Sequence, residues 1–356
     1  MKSRSSFVCQ QCGVESASWY GKCPSCSAWN SLVETVRIVG KGSGSMVGVS
    51  ASRPKVISPT PLTSVKSISY QRLSTTMVEF DRVLGGGIVG GAVILVAGDP
   101  GVGKSTLLLS LVGKVGGWYV TGEESTEQVK LRSERLGIKN NNIFILPETN
   151  IESILYSIEK APIKPKILIV DSIQTMVSEE LEGIAGSVGQ VRLVTLKLIQ
   201  LGKQQNISIF IVGHVTKEGT IAGPKLLEHM VDVVCYFEGE RYYQGRILRT
   251  LKNRFGPTDE VGIFEMEGEG LREVSNPSKL FLEGRVTKVP GSTVGVTLEG
   301  TRPLLIEVQS LVVSSQLALP RRVANGIDYN RLQVILAILQ KWLNFPLGSF
   351  DIFVSV

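Results

Sequence analysis

Between Tyr70 and Val274 the chain alternates short apolar runs with amphipathic stretches, a pattern that predicts a largely parallel α/β sheet. The runs are Ala92–Ala97, Trp118–Thr121, Ile143–Leu146, Lys166–Val170 and Ser208–Val212. Each is short enough for a strand and apolar enough for burial. A helix is expected to open near Lys104 and to contain Leu107, Leu108 and Leu109. Another starts at Ser125, where Gln128 completes a capping-box spacing, and a long one covers Val188 to Gln204. Beyond His214 the pattern turns hairpin-like at Val233–Glu238 and Arg246–Lys252. From Phe281 the texture changes. Short Val-rich strands around Gly291, Gly295 and Gly300 precede a helix from Asp328 to Asn344, which reads as a separate α/β domain. The last residues, Phe350 to Val356, read as an apolar strand with no following turn. Such a strand is expected to leave an uncovered apolar edge, and the terminal domain is expected to be incomplete.

Length and charge bound this picture. A chain of 356 residues suggests two or three domains, and a net charge of +6 is compatible with an anionic partner. No apolar segment approaches a membrane span, and Met1 to Ser6 lead to cysteines without the apolar core of a signal peptide. The expectation is a cytoplasmic protein with no membrane partner.

Cysteine spacing adds a small first module. Cys9 and Cys12, then Cys23 and Cys26, form two C-x-x-C pairs separated by ten residues, the spacing of a four-thiolate zinc site. Two disulfides are the alternative, disfavoured in a cytosolic chain. Cys235, among Val233, Val234, Tyr236 and Phe237, reads as a buried structural residue. Four segments follow: a zinc module over 1–35, a flexible basic linker over 36–69, an α/β domain over 70–275 and a terminal domain over 276–356. The linker carries Arg37, Lys41, Arg53, Lys55 and Lys66 with no acidic residue.

The chemistry centres on Gly98-Asp99-Pro100-Gly101-Val102-Gly103-Lys104-Ser105, directly after an apolar strand. This is G-x-x-x-x-G-K-S, the phosphate-binding loop of nucleoside triphosphatases. Its backbone N–H groups close around phosphates, Lys104 reaches the β- and γ-phosphates, and the Ser105 hydroxyl joins the Mg²⁺ shell. Ile167-Leu168-Ile169-Val170-Asp171 has the shape of a second nucleotide-binding strand, with Asp171 supporting Mg²⁺ through water. The residue after Asp171 is Ser172, so the base that polarises the attacking water must come from elsewhere. Glu123 and Glu124, after the Trp118–Thr121 strand, are the candidates, because two adjacent acids favour one raised pKa. The alternative is a helix N-terminus decorated with acids. Lys252 and Arg254, spaced by one residue on an extended segment, point to the same side and can supply positive charge to a transferring phosphoryl group. A surface-exposed basic hairpin is the alternative there.

These residues together resemble the bacterial RadA/Sms DNA-repair proteins. The resemblance rests on Gly21-Lys22-Cys23-Pro24-Ser25-Cys26, on Glu79-Phe80-Asp81-Arg82-Val83-Leu84-Gly85-Gly86-Gly87, on the P-loop, and above all on Lys252-Asn253-Arg254-Phe255-Gly256. It implies a RecA-like ATPase core between an N-terminal zinc module and a Lon-protease-like end. It further implies a six-membered ring on single-stranded and branched DNA, acting with a RecA-type recombinase in branch migration. ATP, Mg²⁺ and Zn²⁺ are the implied cofactors. Gly98 to Thr106 would hold the triphosphate, with Lys252 and Arg254 offered to the neighbouring subunit's γ-phosphate. Ser178 to Gln190 and Thr216 to Lys225 would face DNA in the pore. The second has Lys217 and Lys225 for phosphates, and the first is mostly acidic or neutral with Arg192 just beyond it. His214 would lie near a γ-phosphate sensor or be a satisfied structural histidine. Two other classes compete: an ATP-dependent protease, whose Ser–Lys dyad would fall beyond Val356, and a non-motor ATP-binding module.

Overall fold

The computed structural model describes residues 4–37 except 10, 13, 17 and 30, then 61–64, 72–214, 224–239, and 245–356 except 283, 287 and 288. Most of the Val36–Ser69 linker lies outside these residues, as does most of the Thr216–Lys225 loop, with Lys217 and the Lys225 side chain.

The first module is a three-stranded antiparallel sheet of β1 (Arg4–Cys9), β2 (Glu15–Ser16) and β3 (Leu32–Arg37), ordered β2-β1-β3. Among the described side chains its buried apolar core is Cys9, Cys23 and Leu32, with Phe7, Cys12 and Val14 packed against them. A core this small holds a fold weakly, and a metal bound by the four cysteines would supply most of the folding energy.

The central domain opens with α1 (Val78–Val83), β4 (Val93–Gly98), α2 (Lys104–Val115) and β5 (Gly117–Thr121). It continues through α3 (Thr126–Arg135), β6 (Ile143–Pro147), α4 (Ile151–Lys160), β7 (Ile167–Asp171), α5 (Val188–Gln205) and β8 (Ser208–His214). It closes with α6 (Pro224–Glu228), β9 (Val233–Glu238), β10 (Gly245–Asn253), β11 (Val261–Glu267) and β12 (Gly270–Glu273). One nine-stranded sheet results, ordered β12-β11-β10-β9-β4-β8-β7-β5-β6. The six strands from β9 to β6 are parallel, and β10 to β12 extend the sheet antiparallel. Every residue of β4 is buried, because helices cover both faces: Ile94 and Val96 face the layer with α1 and α2, while Val93, Leu95 and Ala97 face that with α4 and α5. The Ser125 capping box forms as the spacing predicts.

The terminal domain contains α7 (Pro277–Phe281), β13 (Ser292–Glu299), β14 (Arg302–Ser314), β15 (Arg322–Asn325), α8 (Tyr329–Leu343) and β16 (Phe350–Ser355). Its sheet order is β13-β14-β16-β15. The expected uncovered edge at the end of the chain is therefore not formed. β16 sits inside the sheet, antiparallel to β14 and parallel to β15, with Leu332 and Leu336 of α8 packed beside its Ile352. An apolar strand reads alike in the middle of a sheet and at its border, because the neighbours come from distant sequence.

The β13–β14 turn joins this domain to the central one. Arg302 Nη1 donates to the buried Glu79 Oε2 at 2.6 Å, Thr301 Oγ1 donates to Glu260 Oε1 at 2.6 Å, and Arg249 of β10 bridges Glu238 and Glu299.

Candidate functional site

Parallel pairing aligns the carboxyl ends of β4, β5, β7 and β8, with Gly98 opposite His214 and Thr121 opposite Asp171. That edge is where open α/β sheets hold ligands. The P-loop leaves β4 there and enters α2 through Gly103, whose φ of 112° suits glycine alone; a Cβ would stand 2.6 Å from Met266 Cε. Ser105 and Thr106 lie in the first turn of α2. Lys104 is buried, and its Nζ donates to the carbonyls of Gly98 and Asp99 at 2.8 Å each. Burial lowers its pKa to about 8, against the opposing pull of Asp171, Asp99 and Glu123.

Asp171 ends β7, buried, and accepts a hydrogen bond from the Tyr119 hydroxyl on the neighbouring β5. Burial, reinforced by that carboxylate, pushes the Tyr119 phenol well above its ordinary value, so it stays a donor. Nothing in the sequence set Tyr119 apart from core residues. Only the β5–β7 register brings it to Asp171.

The two adjacent acids part. Glu123 accepts from the Ser172 hydroxyl and lies 3.7 Å from His214 Nε2. Glu124 turns away to an ion pair with Arg132 on α3, while Thr121 Oγ1 ties the Glu124 backbone from both sides. They do not share one site, so mutual repulsion is not what distinguishes them. His214 is half-buried, and burial, then Lys104, lowers its pKa against Glu123 and Asp171. The ring is therefore mainly neutral at pH 7. Its Nδ1 is buried with no hydrogen-bond partner among the described residues. Lys104, Asp171, Ser172, Glu123 and His214 thus form one polar cluster at a single sheet edge.

Lys252 and Arg254 are at the other end. In the antiparallel β9–β10 pairing, Asn253 faces Val233, which faces Ile94 of β4. Gly98 is four residues further along β4, about 13 Å at roughly 3.3 Å per residue. Lys252 Nζ donates to the carbonyls of Glu228 and Val231, at 2.7 and 2.8 Å. Arg254 Nη1 lies 3.3 Å from Asp232 Oδ1, with half its side chain exposed. Both cations reach the same α6–β9 connection, as their spacing predicts.

The rest of that pentapeptide docks on the glycine loop after α1. Asn253 Oδ1 accepts from the Phe255 N–H at 2.9 Å, Gly256 packs against Gly85, and Arg72 joins the carbonyls of Leu84, Gly87 and Phe255. Two motifs far apart in sequence make one structural unit.

The Ser178–Gln190 loop lies at the P-loop edge. It is pinned by Gln190 to the Ser178 backbone at 2.7 and 3.1 Å and by Glu152, which accepts from the Ser178 hydroxyl and pairs with Lys197. Arg192 is exposed.

In the first module the Sγ atoms of Cys9, Cys12, Cys23 and Cys26 all lie within 4.8 Å of one another, with Cys9–Cys26 and Cys12–Cys23 at 3.6 Å. A tetrahedral zinc with bonds of about 2.3 Å separates its sulfurs by about 3.8 Å, so the donor set fits. All five cysteines are free, which excludes the disulfide alternative in this structure. Burial raises the Cys9 thiol pKa, but hydrogen bonding with the Ser31 hydroxyl and with the Cys12 and Gln11 backbone outweighs it, leaving about 6. That favours the thiolate a metal requires.

Two family models match parts of the chain. A family model described as a rubredoxin metal-binding domain matches residues 7–34, and one described as an ATPase, KaiC, matches residues 73–144. A KaiC-like protein from Pyrococcus horikoshii OT3 superimposes with a TM-score of 0.48 at 20% identity, covering 58% of this chain and 99% of that one. The DNA repair protein RadA of Streptococcus pyogenes serotype M1 is 52% identical over 99% of this chain and 78% of its own. That of Bacillus subtilis strain 168 is 48% identical over 100% and 78%. With a four-cysteine zinc module, a RecA-like ATPase core and this identity along nearly its whole length, the chain belongs to the RadA family of DNA repair proteins.

Proposed function

We propose that the chain is a DNA-dependent ATPase motor of recombinational repair. On this reading it closes into a six-membered ring on single-stranded DNA, processes branched intermediates and promotes branch migration of strand exchange begun by a RecA-type recombinase. The observation that carries the reading is the position of the charges. The P-loop cluster and the Lys252–Arg254 pair occupy opposite ends of one sheet, as expected of a site whose halves come from adjacent subunits.

Gly98 to Thr106 would hold the triphosphate, and Ser105 with Asp171 would hold Mg²⁺, which when bound neutralises phosphate charge. Lys104 exchanges the Gly98 and Asp99 carbonyls for phosphate oxygens. Glu123 takes the proton of the attacking water, oriented by Ser172. Arg254 is free to leave Asp232 for a neighbouring nucleotide, because the Asp232 Oδ2 keeps the Val93 N–H at 3.1 Å. Lys252, capping three carbonyls, positions the segment. The boundaries 1–35, 36–69, 70–275 and 276–356, the Lon-like character of the last unit and a cytoplasmic location belong to the same proposal. Among the described residues no helix is long and apolar enough to cross a membrane.

The test is ATP turnover with and without single-stranded DNA, on protein whose mass in solution is also measured. Turnover should rise with DNA in an oligomer and vanish in Lys104→Ala. Mixing Lys104→Ala with Arg254→Ala should restore activity. No rescue at any ratio would count against a shared site, and DNA-independent turnover by a monomer would reject the motor.

A further inference from the structure

We propose that the zinc module carries a base-stacking platform for single-stranded DNA, built from Trp19, Tyr20 and Trp29 around Gly21 with Lys22 at its rim. The proposal rests on the DNA-dependent reading above and adds a contact site outside the ATPase core.

The module packs one of its four aromatics, Phe7, against its core and leaves the other three outside. Trp19 is 54% exposed, Tyr20 50% and Trp29 73%, while the core beside them is made of cysteines and Leu32. Aromatic side chains supply most of the burial in small cores, so three left in water on so small a module call for a partner.

Their arrangement is a surface rather than a scatter. A Cβ placed on Gly21 would lie 3.7 Å from Trp19 Cη2 and 3.9 Å from Trp29 Cζ3. The six-membered edges of both indoles therefore converge over a residue that has no side chain to fill the gap. An antiparallel bridge between Lys22 and Trp29 fixes the second indole to the same strand segment. Lys22 Nζ sits 5.7 Å from the Trp29 ring centroid, a cation beside the aromatic face.

Charge selects the occupant. Residues 1–78 hold nine Lys and Arg against two Glu, a surplus of seven that exceeds the +6 of the whole chain. Within residues 1–35 the balance is three Lys and Arg against two Glu, and residues 36–78 add six more Lys and Arg with no acid, so the basic surplus follows the aromatic module directly in sequence, while Lys22 is the cation in contact with it. Indole faces beside cations match unstacked bases joined by phosphates, and every base offers a π-face, so binding tolerates sequence. Duplex DNA keeps its base faces stacked and cannot use such a platform.

The experiment uses the full chain and a fluorescein-labelled oligo-dT, with affinity read by anisotropy and zinc measured on the same samples. Trp19→Ala/Trp29→Ala should keep zinc and lose ~5- to 150-fold in affinity for each base that stacked. Trp19→Phe/Trp29→Phe should keep most of the binding. Trp118→Phe/Trp342→Phe leaves the platform indoles as the only tryptophans, and saturating unlabelled oligo-dT should quench their fluorescence. Equal affinity in wild type and the alanine variant, or no quenching at saturation, overturns the proposal and leaves the aromatics to a protein partner. If the alanine variant loses zinc, the quenching result decides. Wild-type protein that fails to bind oligo-dT at all would sink the motor reading; wild-type binding that the alanine variant matches would sink only the platform.

Discussion

The divergence of Glu123 and Glu124 makes a sharp prediction about two neighbouring, chemically identical side chains. Substituting glutamine at either position keeps size and removes a charge. The Glu123 carboxyl is 47% exposed and accepts from Ser172, so Glu123→Gln should change stability by less than about 0.5 kcal/mol. If Glu123 is the proton acceptor, its loss should lower kcat by about 10²- to 10⁴-fold. That equals about 2.7–5.4 kcal/mol on the barrier, at roughly 1.36 kcal/mol per decade. The Glu124–Arg132 pair is less exposed, at 30% and 18%. Glu124→Gln should therefore cost stability, about 1 kcal/mol, while kcat stays within about threefold because the amide still accepts from Arg132. Phosphate release at saturating Mg²⁺-ATP and DNA reads the first quantity, urea unfolding the second, and binding of a fluorescent nucleotide shows that the P-loop is intact. A hundredfold loss in Glu124→Gln with turnover preserved in Glu123→Gln would refute the assignment.

Two further outcomes are expected. Stripping zinc with a chelator should abolish hydrogen-exchange protection in the first module and leave nucleotide binding by the central domain unchanged; a module that stays protected without metal would contradict its dependence on the thiolate site. The Ser178–Gln190 loop should lose protection in acid. Burial opposes ionisation of Glu152, but hydrogen bonds from Lys197 and Ser178 bring its pKa down to about 2, whereas Lys197 is raised by Glu152 and Glu180 in spite of burial. The stabilisation is therefore full above about pH 4.5, fades as pH falls through about 2, and at the alkaline end outlasts the ordinary lysine range. Glu152→Gln should remove the acid step; an unaltered pH profile in that variant would exclude the pair as its origin.

The P-loop was legible in the sequence because its function depends on contiguous backbone. The parallel strands were legible because burial on both faces leaves unbroken apolar runs. Partner choice was not. Asp171 could be placed at a strand end, yet Tyr119 reaches it only through the β5–β7 register. Adjacent acids looked like a coupled pair until Thr121 and Arg132 fixed their directions. The apolar pattern does not mark β11 and β12 either. Gly262, inside β11, weakens the strand signal and is there because the Glu79 backbone oxygen would lie 2.5 Å from any Cβ. Likewise the apolar end of the chain said strand but not which strands would flank it.

A sheet with its phosphate loop at one end and the Lys252–Arg254 pair at the other gives each protomer a head and a tail. No motion that preserves the β4–β9–β10 register can bring the two together. Any copy that offers Arg254 to this P-loop must join through a surface unlike the one it meets. Such unlike contacts repeat, and they close into a ring or run on as an open helix according to the rotation at each step. If Arg254 acts in that way, the activity of a protomer depends on having a neighbour, and turnover per molecule should climb with protein concentration even when ATP and DNA are saturating.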